Sequence, residues 1–185
     1  KVFNDKAATS LPAGWRTPGW NKGKASIDAA TGNLLIDGTA NDTAMTAVML
    51  PVELEKLSNY RIDMEFTFDK ANSNTRWGSV MYRSSADSGT YPYEPYHQFA
   101  IRQNATAGNG TEFAFRKAGV WSVNNIKGFA EAIDKSKTYI ASVVVHGNRV
   151  RQYLNGVLLH DVVITSGLTQ GGIGMQTAGL VMRVK

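Results

Sequence analysis

The feature that most constrains the fold of this chain is an alternation of apolar and polar residues. From Tyr60 to Phe68 every second side chain is aromatic or aliphatic, and the side chains between them are polar or charged. Because successive side chains of a β-strand point to opposite faces, this alternation predicts a strand with one buried face and one face in solvent. An amphipathic helix would need a period of about 3.6 residues.

The same kind of segment recurs along the chain, and turn residues separate the segments. Further strands are predicted at 33–36, 44–50, 76–83, 96–102, 111–116, 139–146, 149–154, 157–164, 172–176 and 180–184. Gly147-Asn148 and Asn155-Gly156 predict two antiparallel hairpins, and a third joins 96–102 to 111–116. Short helices are predicted only at 51–57 and 129–133. We therefore expect one all-β domain over residues 1–185, a two-sheet antiparallel jelly-roll β-sandwich with one or two short helices.

Composition and charge argue against several functions. The 185 residues include no cysteine, so disulfides, cysteine-ligated zinc and thiol chemistry are excluded. No apolar run approaches the roughly 18 residues of a membrane helix, so we expect no membrane insertion. The net charge is +5, but lysines and arginines are scattered and no nucleic-acid-binding motif accompanies them, so we expect no nucleic-acid partner. The start at Lys1 fits a segment of a larger multidomain protein.

The outward-facing side chains of four predicted strands suggest a binding surface. If these strands are neighbours, their outer face combines arginines, carboxylates, a glutamine and a tryptophan, with a proline-stiffened aromatic loop beside it. Arginine and carboxylate groups can bind vicinal hydroxyls, and an aromatic ring can stack on a sugar. The candidate ligand-binding residues are Asp63, Glu65, Trp77, Arg83, Gln98, Arg102, Glu112 and Arg116, with Tyr91, Tyr93 and Trp121 at the rim. Two alternatives remain: the charged groups form solvated ion pairs, or Trp77 and Trp121 cap the core.

Several motifs, taken in order, resemble one superfamily. They are Leu11-Pro12-Ala13-Gly14-Trp15, residues 59–66, 78–83 and 96–102, Tyr153-Leu154-Asn155-Gly156, and Gly171-Gly172-Ile173-Gly174. This series resembles the concanavalin A-like lectin/glucanase superfamily, particularly bacterial laminin-G-like accessory modules of surface glycosidases related to the 3-keto-disaccharide hydrolase domain. The resemblance implies two antiparallel sheets, a glycan ligand and a secreted or cell-surface bacterial location. It also implies a possible structural calcium, to which Asn4-Asp5 or Asn41-Asp42 could contribute oxygen ligands. No other cofactor is expected.

The same resemblance bears on catalysis. Sandwich glucanases carry a Glu-x-Asp-x-Glu strand, whereas this chain has Arg61 at the first position, followed by Asp63 and Glu65. Because a cation replaces the expected nucleophile, we expect no catalytic residue. The sequence thus predicts a non-catalytic carbohydrate-binding module that directs a secreted polysaccharide-degrading enzyme to an acidic polysaccharide or a fructan. The alternatives are a glycan-processing hydrolase of the 3-keto-disaccharide type and a protein-binding adhesion sandwich.

Overall fold

The chain forms two antiparallel sheets. A computed structural model describes residues 10–19, 21–42, 44–85 and 94–185. The strands are β1 Lys24–Ile27, β2 Leu34–Asp37, β3 Thr46–Met49, β4 Tyr60–Ala71, β5 Trp77–Ser84, β6 Tyr96–Arg102, β7 Thr111–Lys117, β8 Val120–Lys127, β9 Tyr139–His146, β10 Arg149–Leu154, β11 Val157–Val163, β12 Gly172–Ala178 and β13 Leu180–Val184. Seven strands form the back sheet, in the order β1-β2-β13-β4-β9-β10-β11, and six form the front sheet, in the order β3-β12-β5-β6-β7-β8. The predicted antiparallel β-sandwich is confirmed.

The predicted helices differ from the observed structure. The segment predicted at 51–57 forms only a 3-10 turn, Val52–Leu54, and 129–133 is not helical. In the second segment the Phe129 and Ile133 amides donate to the carbonyls of Ala105 and Gln103, at 2.7 and 3.0 Å. These bonds to the β6–β7 loop replace helical bonds, whose nucleation is costly in so short a segment. Within the described residues, no helix is long and apolar enough to cross a membrane.

The three predicted hairpins are confirmed. β6 pairs with β7, β9 with β10, and β10 with β11, each in antiparallel register. At the last turn Asn155 and Gly156 have φ values of 48° and 78°. Positive φ at both central residues is what a type I′ turn requires, and its twist matches that of the flanking strands.

Replacing Gly156 with alanine should lower the free energy of unfolding by about 1 kcal/mol, because a Cβ is unfavourable at positive φ. Gly108→Ala is the matched control. Gly108 lies in a loop, has no positive φ, and a Cβ added there would meet nothing within 4 Å. Urea unfolding of both variants measures the difference. Equal stabilities would contradict the turn geometry.

The main core lies between the sheets and confirms the predicted side-chain parity of β4. Met64, Phe66 and Phe68 point into it, whereas Asp63 and Glu65 are exposed. A second apolar cluster lies on the outer face of the front sheet, where Trp121 packs against buried neighbours from β3, β5 and β6. They are Ala47, Met49, Met81 and Tyr96. That face is therefore partly buried and apolar, unlike an ordinary solvated sheet surface.

Candidate functional site

The predicted binding surface is divided between the two sheets. β4 pairs with β9 and β13 in the back sheet, whereas β5, β6 and β7 are neighbours in the front sheet. The prediction that Asp63 and Glu65 share a surface with Trp77 is therefore wrong. Asp63 instead pairs with Arg61 at 2.9 Å and accepts a hydrogen bond from Ser142 at 2.5 Å. Any sugar contact by these two carboxylates would be on the outer face of the back sheet.

Simple alternation also predicts the wrong direction for the Arg83 side chain. The pairing of β5 with β12 shifts register between Gly172 and Gly174, and Arg83 has a φ of 52°. Such a bulge re-aims a side chain. Arg83 is 1% exposed, and its guanidinium donates to the carbonyls of Leu168, Ser58 and Gly147. The prediction of an outward-facing Arg83 is wrong.

Six of the predicted residues do share the outer face of the front sheet. They are Trp77, Gln98, Arg102, Glu112, Arg116 and Trp121. In register, Trp77 lies opposite Arg102 and Trp121 lies opposite Arg116. We call this group, together with Ser79, Glu94, Tyr96 and Gln176, the front site. Tyr91 and Tyr93 lie outside the described residues, so their predicted rim position is untested.

Three aromatic rings meet across the front site. The ring centroids of Trp77 and Trp121 are 6.1 Å apart at 86°, and those of Tyr96 and Trp121 are 5.8 Å apart at 88°. Since Trp77 is on β5 and Trp121 on β8, their contact spans the two strands between them. Small side chains there, Ala100 and Ala114, leave room for the rings. The edge-to-face geometry is a favourable aromatic arrangement.

Two arginine–carboxylate pairs lie at the ends of the site. Arg102 Nη2 is 2.6 Å from Glu112 Oε1, with side-chain exposures of 22% and 11%. Arg102 also donates to the carbonyls of Asn109 and Thr75, at 3.0 and 2.8 Å. The pairing of each arginine with a carboxylate makes the local charge close to neutral. It also presents donors and acceptors at fixed positions.

The second pair links β7 to the segment preceding β6. Arg116 Nε is 2.6 Å from Glu94 Oε1, and Glu94 Oε2 accepts a hydrogen bond from the Gly119 amide at 2.6 Å. The guanidinium carbon of Arg116 lies 4.8 Å from the ring centroid of Trp121, which is cation–π geometry. The pair thus fixes both the β7–β8 turn and the orientation of Trp121.

A buried polar group lies in the middle of the same face. Gln98 Oε1 accepts from Ser79 Oγ at 3.1 Å and from Gln176 Nε2 at 2.7 Å, and Gln176 Nε2 also approaches the Tyr96 hydroxyl at 3.3 Å. Gln176 Oε1 is buried without a hydrogen-bond partner. A buried carbonyl oxygen normally has a donor, so Gln176 Oε1 is an unpaired acceptor beneath the face of the front site.

Sequence reasoning did not assign Glu94, Tyr96 and Gln176 to the site. Gln176 is on β12, which joins β5 only through a long-range pairing. Local alternation cannot reveal such a neighbour. No strand pattern surrounds Glu94 in the sequence. Tyr96 begins the predicted strand 96–102 and follows the predicted aromatic loop.

Of the predicted calcium ligands, Asn41 and Asp42 lie in the described residues. Asp42 is paired with Arg76 at 3.2 Å and accepts from Asn72 at 2.6 Å, so a cationic side chain already neutralises it. Among the described residues no three His, Cys, Asp or Glu side chains are grouped for a metal. Asn4 and Asp5 lie outside those residues, and a calcium ion bound there remains a prediction.

Comparison with solved structures supports the fold. The carbohydrate binding module CBM66 from Bacillus subtilis has a TM-score of 0.68 and 16% identity, covering 96% of this chain and 93% of that chain. The GH43 protein BlXynB from Bacillus licheniformis has a TM-score of 0.63 and 13% identity, and the match covers 98% of this chain but 37% of that one. A galectin-like protein of unknown function from Bacillus subtilis has a TM-score of 0.63 and 12% identity, covering 92% and 86% of the two chains.

Comparison with models of protein families shows the family of this chain. None of the curated proteins compared with it matches this chain. The model of one family does match, over residues 1–185. This match confirms the relationship indicated by the ordered motifs. The chain belongs to the family of 3-keto-alpha-glucoside-1,2-lyase-like domains.

Proposed function

We propose that this chain is a non-catalytic carbohydrate-binding domain and that its front site binds a neutral sugar. The observation that carries this proposal is the combination of the Trp77–Trp121 contact with two paired arginines on one sheet face. Aromatic rings supply an apolar platform, and the fixed ion pairs supply donors and acceptors for hydroxyl groups. The fold similarity to a carbohydrate binding module agrees with this function.

The charge of the site favours a neutral ligand over an acidic polysaccharide. Both Arg102 and Arg116 already have a carboxylate partner at 2.6 Å. An acidic sugar would have to compete with Glu112 or Glu94 and would approach two carboxylates. A neutral sugar, such as a terminal fructose of a fructan, can instead bridge each ion pair through its hydroxyls.

The site carboxylates argue against a glycosidase mechanism. Glycosidases use two carboxyl groups about 5 to 9.5 Å apart across the scissile bond. Glu94 and Glu112 are each held by an arginine in the front site. Asp63 and Glu65 lie on the other sheet, where Asp63 is occupied by Arg61 and Ser142. A binding role therefore needs fewer rearrangements than a catalytic one.

The domain would direct an attached catalytic domain to its substrate in a secreted or cell-surface bacterial protein. The similarity to BlXynB supports an attached domain, since the match there covers only 37% of a longer glycoside hydrolase. The Trp77 and Trp121 rings of the front site would then bind chain ends or side groups of the polymer that the catalytic domain cleaves.

Binding measurements test this proposal directly. We expect neutral oligosaccharides, fructans among them, to bind in isothermal titration without being cleaved. Trp77→Ala should weaken binding about 30-fold, the effect of losing about 2 kcal/mol at an aromatic hot spot. Tyr153→Ala, an aromatic residue on the back sheet, is the matched control and should bind normally. Binding confined to acidic glycans or to proteins, or binding unchanged in Trp77→Ala, would contradict the proposal.

The family relationship favours a second candidate function, elimination from a 3-keto-alpha-glucoside. In that reaction a base would remove a proton next to the keto group while the glycosidic oxygen leaves. Glu94 and Glu112 are the front-site carboxylates, so one of them would have to act as the base. Incubation with a 3-keto-disaccharide distinguishes the two functions. Product release that is lost in Glu112→Gln or in Glu94→Gln would support the lyase, and stable binding without release would support the binding domain.

A further inference from the structure

The two sheets leave a pocket of about 340 Å³ at one edge of the sandwich. β8 is the last strand of the front sheet and β11 the last strand of the back sheet. The pocket lies between them, on the inner side of β7 and β8, so the front sheet separates it from the front site. We call it the edge pocket. Its volume is within the range of small-molecule sites, about 300 to 1,000 Å³.

A row of stacked rings ends at this pocket. Tyr82, His97 and Phe115 are in cross-strand register, with ring centroids 5.9 and 4.6 Å apart and interplanar angles of 20° and 30°. The next residue in register is Ser122 on the edge strand β8. Ser122 is exposed and too small to continue the stack. The outer side of the Phe115 ring is therefore left as an apolar platform.

The edge strand has the reverse of the usual polarity. Its inward residues include Ser122 and Asn125, whereas Val123 and Ile126 face outward and are 42% and 54% exposed. A register shift in the β7–β8 pairing leaves Asn124 as an extra residue, and Asn124 and Asn125 both line the pocket. A bulge re-aims a side chain, so this one adds an amide to the pocket wall.

The opposite wall adds a hydroxyl group, and the pocket is uncharged. Ser166 Oγ lies 2.8 Å from His97 Nε2, while His97 Nδ1 is buried without a partner. Burial, assisted by the positive charge of Arg83, lowers the pKa of His97 to about 4, so the ring is neutral at pH 7. Among the described residues, no aspartate, glutamate, lysine or arginine lines the pocket. An aromatic floor with amide and hydroxyl walls suits a neutral ligand that has one apolar face and several hydroxyls.

We propose that the edge pocket is a second binding site that takes one ring of a neutral sugar, stacked on Phe115 and hydrogen-bonded by Asn124 and Ser166. The site does not depend on the front site, since the two lie on opposite faces of the front sheet. A chain with both sites would hold a glycan at two points.

Nuclear magnetic resonance of the intact chain tests this proposal. The imidazole nitrogen signals of His97 report on the pocket because Nε2 contacts Ser166. We expect at least one of xylose, glucose, galactose and fructose to shift these signals saturably, with a Kd on the order of 1 mM. Ser122→Trp should weaken this binding at least about tenfold, since the added ring fills the platform over Phe115. Ser122→Ala is the matched control and should keep the binding.

Three outcomes would overturn the proposal. The first is the absence of any His97 shift with these sugars, and the second is an equal shift in Ser122→Trp. The third is a shift with adenosine alone, which would assign the pocket to planar heteroaromatic ligands. Asn124→Ala, at an exposed position, provides a second variant that should weaken sugar binding. A failure of the front site in its own titration would leave these results unaffected.

Discussion

Replacing Arg83 with alanine should lower the free energy of unfolding by about 4 kcal/mol. The guanidinium is buried and donates to three backbone carbonyls, those of Leu168, Ser58 and Gly147. Hydrogen bonds from a charged group contribute about 1.5 to 3 kcal/mol each, and truncation also leaves a cavity. For a chain of this size the melting temperature should fall by about 10 °C. Urea unfolding and calorimetry measure both quantities.

Two further variants separate the causes of this loss. Arg83→Met keeps much of the packing but none of the donors, so it should recover only part of the stability. Arg61→Ala removes an exposed arginine whose single ion pair with Asp63 should contribute less than about 1 kcal/mol. If Arg83→Ala were as stable as Arg61→Ala, the three carbonyl contacts would not hold the β5 bulge in place.

Arg83 also shows what the sequence could and could not predict. Alternation correctly predicted the parity of β4 and most strand positions, because the buried face of each strand is a local property. It failed at Arg83 because the bulge opposite Ile173 adds one residue to β5 and changes the facing of the side chain. β8 was missed for a related reason: its own register shift breaks the alternation, and its inner side is polar.

The assignment of strands to sheets could not be predicted either. β4 ends at Ala71 and β5 begins at Trp77, so a short connection joins them, and consecutive strands usually pair. Here the chain instead crosses from the back sheet to the front sheet, and this crossing removed Asp63 and Glu65 from the predicted surface. Apart from Arg83, the predicted residues on β5, β6 and β7 do share one face, because those three strands pair in sequence order.

Acid should destabilise the fold through two buried histidines. His97 and His160 are 2% and 1% exposed. Burial, with the charge of Arg83 for His97 and of Lys127 for His160, lowers both pKa values from 6.5 to about 4. His160 also joins the sheets, since its ring nitrogens contact Asn125 Oδ1 at 2.8 Å and Thr111 Oγ at 3.0 Å. Thr111 Oγ also donates a hydrogen bond to the Lys127 carbonyl at 2.6 Å.

The direction of the pH effect follows from proton binding. Between pH 6.5 and 4 the unfolded chain holds protons on both imidazoles and the folded chain does not, so the free energy of unfolding falls as the pH falls. Each unit of difference between the unfolded and folded pKa corresponds to about 1.4 kcal/mol. The free energy of unfolding should therefore fall by about 3 kcal/mol per histidine by pH 4. Above pH 6.5 both imidazoles are neutral in the folded and the unfolded chain, so this loss of stability is absent. A hydrogen bond from Thr31 lowers the pKa of Asp28 to about 2, and one from Arg149 lowers the pKa of Asp161 to about 2. These two carboxylates therefore lower the free energy of unfolding further only in stronger acid.

Urea unfolding at several pH values between 4.5 and 6 gives the slope of the free energy of unfolding against pH. This slope should decrease by about 1.4 kcal/mol per pH unit for each buried histidine that is removed. His97→Gln and His160→Gln test this separately, and the slope remains informative even if either variant is less stable throughout. His146→Gln is the control, because His146 is exposed at the end of β9 and its removal should leave the slope unchanged. A parent slope that survives both buried substitutions would show that other groups carry the acid sensitivity. A ligand in the edge pocket should bind the folded chain but not the unfolded chain. It should therefore raise the free energy of unfolding at every pH, most clearly in acid, where the two histidines have weakened the fold.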